Sequence, residues 1–478
     1  MSDNNSKKRL LCFPMEIIER EMTGNLVLAL EALQNDWQCV LGTKKSIFDN
    51  AHNLPPSVIF LKSIMSCEMS NIRRLKDAGH KLVSLDVEGL VYTDMEEFVT
   101  VRFCPKTIEE VEKIFFWGET QRNVVAKTYP SQSDKLQTTG SPISDLWQKP
   151  KFHALHQENV DSLKNRFGKY IILPSSFGTV NHYMGYEATL DMMKRDNMII
   201  EDKQDEFYDF WINYEAHIFK IFKKFLALLP SLSAAFPDHT IIIRPHPSES
   251  HETWKDAAKG LDNIKVVFEG SVSPWLLGAD AVLHWGCTTG LEAYLMGRPV
   301  VSYNPAIKED RDKFDHELPQ SISIVEYTPE NTIETLKRVI ANPNTIKKEY
   351  PDIAKGHENL KAWIASSDQG AAAEIFKSIQ NIDIKPIAMR PVPQEKFSAK
   401  EAVWQIFTLI SKVKPIFKFF PKTIKHGVET RAYGRQKTKD IDEVQLEKTL
   451  QALSKIQNID NVFVENIGKN LFLLKKKS

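Results

Sequence analysis

At 478 residues the chain is about three times the usual domain length, which excludes a single small domain. Its 42% hydrophobic and 26% charged residues sit at the globular average and exclude wholesale disorder, while 20 Gly and 24 Pro without a repeat exclude a fibrous chain. Formal net charge is zero, and no nucleic-acid partner is expected.

No stretch reaches the roughly 18 apolar residues of a spanning helix. The apolar run after Arg9 breaks at Pro14 and Glu16, too short for a secretory leader, so a cytoplasmic multidomain protein is expected. The five cysteines (Cys12, Cys39, Cys67, Cys104 and Cys287) are widely spaced without a Cys-x-x-Cys pair. They read as reduced core residues, not as a metal or disulfide framework.

In chain order, Leu10–Phe13 reads as a buried strand, and Leu26, Leu30 and Leu33 follow at helical spacing. Gln38–Leu41, Val58–Leu61 and Leu82–Leu85 continue the strand series, with Ile72 and Leu75 on a helix between the last two. Thr138 to Lys151 reads as a closing loop. A second series opens at Tyr170 with YIILPSSFG. A long amphipathic helix follows, carrying Trp211, Tyr214, Ile218, Ile221 and Phe225 at steps of three and four as a core face. Strands are then predicted at Thr240–Ile243, Lys265–Phe268, Ala281–His284 and Val300–Tyr303, and closing helices over Thr332–Ile379. Alternating apolar runs and helices imply parallel pairing with crossover helices. The predicted class is α/β, with two Rossmann-like doubly wound lobes, 1–150 and 151–385, around a central cleft. Residues 386–478 are expected to form a helical basic extension. From Lys396 to Lys439 there are eleven Lys/Arg against two acids, Glu401 and Glu429.

Ligands of open α/β sheets bind beyond the carboxyl ends of the strands, which directs attention to three junctions in the second lobe. Arg244-Pro245-His246-Pro247 holds an imidazole between prolines, either as a donor to a phosphate oxygen or as an incidental turn histidine. Phe268-Glu269-Gly270 ends a strand in an acid that can accept from a ribose hydroxyl or base amine, or cap a helix starting near Ser273 ahead of Pro274. Gly286-Cys287-Thr288-Thr289-Gly290-Leu291-Glu292 places two hydroxyls and unpaired N–H groups at a helix start, an anion site flanked by glycines or an ordinary cap. Glu292, about one turn in, is placed to reach a sugar hydroxyl. Such a site surrounds a phosphate with donors and needs no metal or other cofactor. The Asp-x-Asp triplets Asp310-Arg311-Asp312 and Asp440-Ile441-Asp442 lie in a charged run and in the tail, and neither is expected to bind metal.

These residues resemble bacterial surface-carbohydrate (capsule and lipopolysaccharide) biosynthesis proteins related to the capsule transferases for Kdo. The likeness rests on Glu16…Arg20-Glu21, LDVEGLVY (Leu85–Tyr92), FFWGE (Phe115–Glu119), TGSP (Thr139–Pro142), RPHP (Arg244–Pro247) and the run Glu269–Ala293. It implies a GT-B fold and a CMP-activated ulosonic acid donor, Kdo or a nonulosonic acid, transferred to a glycan or lipid-linked glycan. The second lobe would bind CMP, with His246-Pro247 and Thr288-Thr289 on its phosphate, and the first would face the acceptor. The family's acid-acid-Gly motif is matched at Asp86-Val87-Glu88-Gly89, with Val87 at the first acid, so Glu88 and Asp86 are both candidate bases. Glu16, Arg20 and Glu21 are read as acceptor-side residues or as a helix-surface ion-pair cluster. Alternatives are a teichoic-acid-like CDP-polyol phosphotransferase, a UDP-sugar transferase or epimerase, and a non-catalytic glycan-assembly subunit. Lysines among aromatics in the tail suit peripheral attachment to an anionic membrane.

Overall fold

The computed structural model describes residues 8–93, 95–185, 204–343, 351–386, 388–389 and 439–477, with scattered positions between 403 and 436. The first sheet is built from β1 (Leu10–Met15), β2 (Gln38–Thr43), β3 (Val58–Leu61), β4 (Lys81–Leu85), β5 (Lys113–Phe116) and β6 (Leu136–Thr138), all parallel. The second holds β7 (Tyr170–Pro174), β8 (Thr240–Arg244), β9 (Ile264–Val266), β10 (Ala281–His284), β11 (Val300–Tyr303) and β12 (Ile324–Glu326), also parallel. Burial alternates along the strands. Leu11, Phe13 and Met15 enter one apolar cluster while Leu10 and Cys12 enter another; Ile172 and Ile242 likewise part from Ile171 and Ile241. Both faces of each sheet are therefore covered, as Rossmann-like lobes require. The architecture is α/β, with two doubly wound lobes.

Helices around the cleft, numbered in chain order, are α1 (Ile18–Gln34), α2 (Pro142–Gln148), α3 (Gln204–Ala235), α4 (Ser273–Gly278), α5 (Thr288–Leu295), α6 (Pro351–Trp363), α7 (Ala371–Ile379) and α8 (Glu443–Ile456). The expected loop after Thr138 contains α2, because Pro142 sits in the first turn, where its fixed φ starts a helix instead of stopping one. On α3, Ile218, Ile221 and Phe225 are buried as the periodicity predicts. One apolar cluster runs from Leu26 and Leu30 of α1 through Trp147 and Phe376 to Trp275 and Leu291, joining the lobes.

The chain recrosses to the first lobe before residue 385. The Ala362 and Trp363 carbonyls accept from Thr120 Oγ1 (3.2 Å) and Gln121 Nε2 (3.3 Å), and Asp145 accepts the Ala371 N–H at 2.7 Å. The tail also differs from a helical extension. After α8, β13 (Val462–Gly468) and β14 (Leu471–Lys476) form a hairpin, and β14 pairs antiparallel with β2. The first sheet thus has eight strands in the order β13-β14-β2-β1-β3-β4-β5-β6. No helix among the described residues is long and apolar enough to cross a membrane.

Candidate functional site

In the second sheet the order β12-β11-β10-β7-β8-β9 puts β7 between β10 and β8, so successive crossovers leave it in opposite directions. That reversal opens a crevice at the carboxyl ends of β7, β8 and β10. The first sheet reverses in the same way at β1, between β2 and β3. The residues after β1, β3 and β4 (Glu16, Lys62 and Asp86–Glu88) gather there. The two crevices face each other, close enough for the His246 imidazole, when protonated, to lower the pKa of Glu88.

The turn after β8 is organised by Glu249, which the sequence reading passed over. Its fully buried carboxylate accepts from Ser175 Oγ (2.7 Å), the Phe177 N–H (2.9 Å), Asn181 Nδ2 (3.2 Å), Trp254 Nε1 (2.8 Å) and the His246 N–H (3.2 Å). One side chain thereby fixes the loop after β7 to the turn after β8. The only sequence signal was an acid two residues past His-Pro. Within this turn the Ser248 N–H, which can only donate, lies 3.2 Å from His246 Nδ1, and Ser248 Oγ lies 2.7 Å from it. Nδ1 therefore accepts, and Nε2 carries the proton.

Arg244 is buried beneath this turn. Nη1 donates to the Glu269 carbonyl at 2.7 Å and Nη2 to the Gly270 carbonyl, with the guanidinium over Trp275 at 5.4 Å. Burial lowers its affinity for the proton to about 10 against the pull of Glu292, Glu19 and Glu269. It acts as a brace for the Glu269–Gly270 loop. The Glu269 carboxylate, expected to meet a ribose or base, turns to the surface and pairs with Arg166 at 2.7 Å, which holds its pKa low. Only its backbone faces inward, because Arg244 and Trp275 Nε1 (3.1 Å) both claim its carbonyl.

Helix α5 begins at Thr288, with Cys287 as N-cap and no side-chain cap bond. Thr288 and Thr289 are half-buried in its first turn, where the helix dipole favours an anion, while the Gly290 N–H already donates to the Cys287 carbonyl at 3.1 Å. The flanking glycines serve the protein itself. Gly286 has φ +53°, and a Cβ there would meet His316 Nδ1 at 2.9 Å; one on Gly290 would strike the His284 ring at 2.3 Å. His284 is fully buried, with Nε2 2.9 Å from Ser323 Oγ, and supports the turn from below.

Glu292 is buried where the lobes meet. Ser273 Oγ donates to it at 2.6 Å, and Arg20, Arg244 and Trp147 lie close. Burial raises its pKa to about 7, with those neighbours opposing. It is a buried acid bound to α4, not a carboxylate projecting toward a sugar. A carboxyl whose folded pKa exceeds its unfolded value favours folding most when protonated, so stability should fall as pH rises from the unfolded value toward about 7. Glu292→Gln should flatten that slope, which is worth on the order of 3 kcal/mol at most, between pH 5 and 7 in urea titrations. An unchanged slope would remove Glu292 as its source.

In the first lobe, the two carboxylates of the Asp86-Val87-Glu88 turn part company. Asp86 is buried and accepts from Arg102 Nε (2.7 Å) and Nη2 (2.8 Å) and from the Glu88 N–H (2.9 Å). Its lone pairs are committed to holding the turn, so it is withdrawn as a base. Glu88 lines the cleft with half of its side chain reachable by solvent (51%), 3.6 Å from Arg20 and 3.5 Å from Arg102. Burial pushes its pKa up, but Arg20, Arg102, Lys62 and His246 outweigh it and hold the group at about 2. Glu21 accepts the Ile17 N–H at 2.8 Å and that of Glu16 at 3.2 Å, satisfying donors at the α1 start. Arg20 donates to the Val87 carbonyl at 3.1 Å, and Glu16 pairs with Lys62. Glu21 is thus a helix cap, while Glu16, Lys62, Arg20 and Glu88 form a charged wall.

Among the described residues no group of three or more His, Cys, Asp or Glu is placed to hold a metal. Asp310 and Asp312 lie on a short helix, not in a loop, beside Lys220 (3.7 Å) and Lys308. Asp442 caps α8, and Asp440 accepts from Asn470 at 2.7 Å.

No family model matches the chain, and no curated protein matches it in sequence. Solved structures match in shape. A CDPG-soaked variant of the wall teichoic acid polymerase TagF shares 11% identity over 79% of this chain and 89% of that chain, at a TM-score of 0.49. HepE from Anabaena, in complex with UDP, shares 10% over 78% and 100% at 0.40. UDP-GlcNAc 2-epimerase from Methanocaldococcus jannaschii, with UDP-GlcNAc and UDP, shares 13% over 78% and 99% at 0.44.

Proposed function

We propose that the protein is a metal-independent glycosyltransferase that releases CMP from a CMP-activated ulosonic acid, Kdo or a nonulosonic acid, and passes the sugar to a surface glycan. The observation that carries this reading is His246, held with Nε2 protonated at the same crevice as the α5 start and across from Glu88. A phosphate bound there would meet the imidazole N–H, the Thr288 and Thr289 hydroxyls and the first N–H groups of α5. All are donors aimed at the charge that develops as the bond to CMP breaks. The first lobe would present the acceptor hydroxyl. On attack its oxygen becomes positively charged and strongly acidic, so its proton passes downhill even to a carboxylate as weakly basic as Glu88. Incubation with CMP-Kdo or a CMP-nonulosonate and envelope glycans should release CMP and leave no phosphorus in the new linkage. A phosphodiester product from a CDP-polyol would replace this reading with the polyol-phosphate transferase.

Changing Thr288 and Thr289 together to Val removes both hydroxyls at nearly constant volume. CMP affinity should weaken by about 1–3 kcal/mol, the backbone donors remaining. Equal affinity by calorimetry would take the phosphate away from α5.

The proposal extends to a cytoplasmic protein resting on the inner membrane face through residues 396–439. Lys412, Lys414, Lys418, Lys422 and Lys425 lie outside the described residues; of the nearby apolar side chains, Val403 and Ile406 are exposed. Co-sedimentation with anionic vesicles should be lost in high salt and in the five-fold Lys→Gln variant, at about 1 kcal/mol per lysine. Binding indifferent to both would refute the attachment.

A further inference from the structure

The turn that carries His246 is gripped from outside as well as from within. Gln436, 189 residues further along the chain, directs its amide Nε2 at the Pro247 carbonyl (2.8 Å) and the Glu249 carbonyl (3.2 Å). These are carbonyls of the turn itself, whose N–H groups are used by the His246 carbonyl, the His246 ring and the Glu249 carboxylate. Three residues before Gln436, the Tyr433 ring packs on His182 at 5.0 Å and stacks on Tyr183 at 6.0 Å; both belong to the loop after β7. Three residues after it, Lys439 lies over Phe268 at 5.7 Å and pairs with Glu19 of α1 at 2.7 Å. The chain then enters α8 and the β13-β14 hairpin of the first sheet. Glu19 adjoins Arg20, which holds Glu88. Described contacts therefore run from the His246 turn, through Gln436 and Lys439, to the helix that bears the opposite wall of the cleft.

We propose that Tyr433, Gln436 and Lys439 together strap the first lobe to the His246 turn, with Gln436 the positioning residue that sets the imidazole. In the second lobe alone, Glu249 anchors the turn to the sheet by the backbone N–H of His246 and by its own place in the chain. The two carbonyls that Gln436 takes lie beyond His246, on the side where Ser248 fixes the ring. Loss of the amide frees that half of the turn, and with it the Ser248 N–H that keeps Nδ1 an acceptor. The strap rests on the proposed role of His246 only for its effect on turnover; its effect on the ring stands apart from any substrate.

The test therefore has two readouts on the full-length protein. In ¹⁵N spectra of the histidine rings, with His246→Ala giving the assignment, the wild-type His246 signal should show the Nε2–H form. Gln436→Ala should move it toward a mixture of the two tautomers, while the buried His284 signal stays in place. Gln436→Glu, which turns a carboxylate toward the same carbonyls, serves as the second variant and should do the same. In turnover, Gln436→Ala should lower kcat roughly tenfold with little change in KM, and should do nearly nothing in a His246→Ala background, since a residue that acts through another is not additive with it. An unmoved His246 ring in folded Gln436 variants, or an equal tenfold loss in both backgrounds, would overturn the proposal. If the ring responds but no CMP-sugar turns over even in the wild type, the strap stands and the donor assignment falls.

Discussion

His246→Ala is expected to lower turnover about 100-fold or more while leaving the fold intact, the loss that follows removal of one transition-state donor. The geometry makes this variant informative. The ring contributes little to the core, and the turn that carries it is held through backbone atoms: its N–H by Glu249 and its carbonyl by the Glu249 N–H at 2.9 Å. Truncation should therefore remove the Nε2–H donor without releasing the turn. CMP binding should weaken far less than kcat falls, because a donor aimed at developing charge matters most when that charge appears. A variant that keeps most of its turnover would return His246 to the role of a surface turn residue.

Glu249→Ala is expected to destabilise the protein by about 4 kcal/mol, near the upper end for single substitutions, because it leaves several buried donors without an acceptor. Ser175, Phe177, Asn181, Trp254 and His246 all direct a hydrogen at this carboxylate. The damage should extend to function, since the loops after β7 and β8 lose their common anchor. Glu249→Gln keeps one oxygen as acceptor and should fall between wild type and Ala. Urea unfolding midpoints check both, and a loss in Glu249→Ala of under about 1 kcal/mol, the size of one ordinary hydrogen bond, would contradict the five-donor arrangement.

Much of the frame was legible because it is local. Val58–Leu61 is a continuous apolar run and Ala281–His284 and Val300–Tyr303 are apolar but for His284 and Ser302, as strands buried on both faces tend to be, and the structure has strands at those residues. β6 and β12 have three residues each, too few for periodicity to register, while the run read at Lys265–Phe268 is the three-residue β9, displaced to Ile264–Val266. β14 is fixed by β2, more than 400 residues away, and no local pattern announces that pairing. The site shows the same division. Motif position led to His246, Thr288 and Thr289, but which carboxylates are spent on structure depends on partners distant in sequence. Asp86 is taken by Arg102, Glu269 by Arg166 and Glu292 by Ser273. Glu249 escaped notice because a buried acid looks like a surface acid until its five donors are assembled.

The most direct test of the donor assignment is a calorimetric and thermal-shift comparison of CMP, CDP, UDP and GDP on the wild-type protein. CMP at 100 times its dissociation constant should stabilise the fold by about 2.7 kcal/mol, with His246→Ala and the Thr288/Thr289 double variant binding it more weakly. Selective stabilisation by UDP, with CMP inert, would contradict the account.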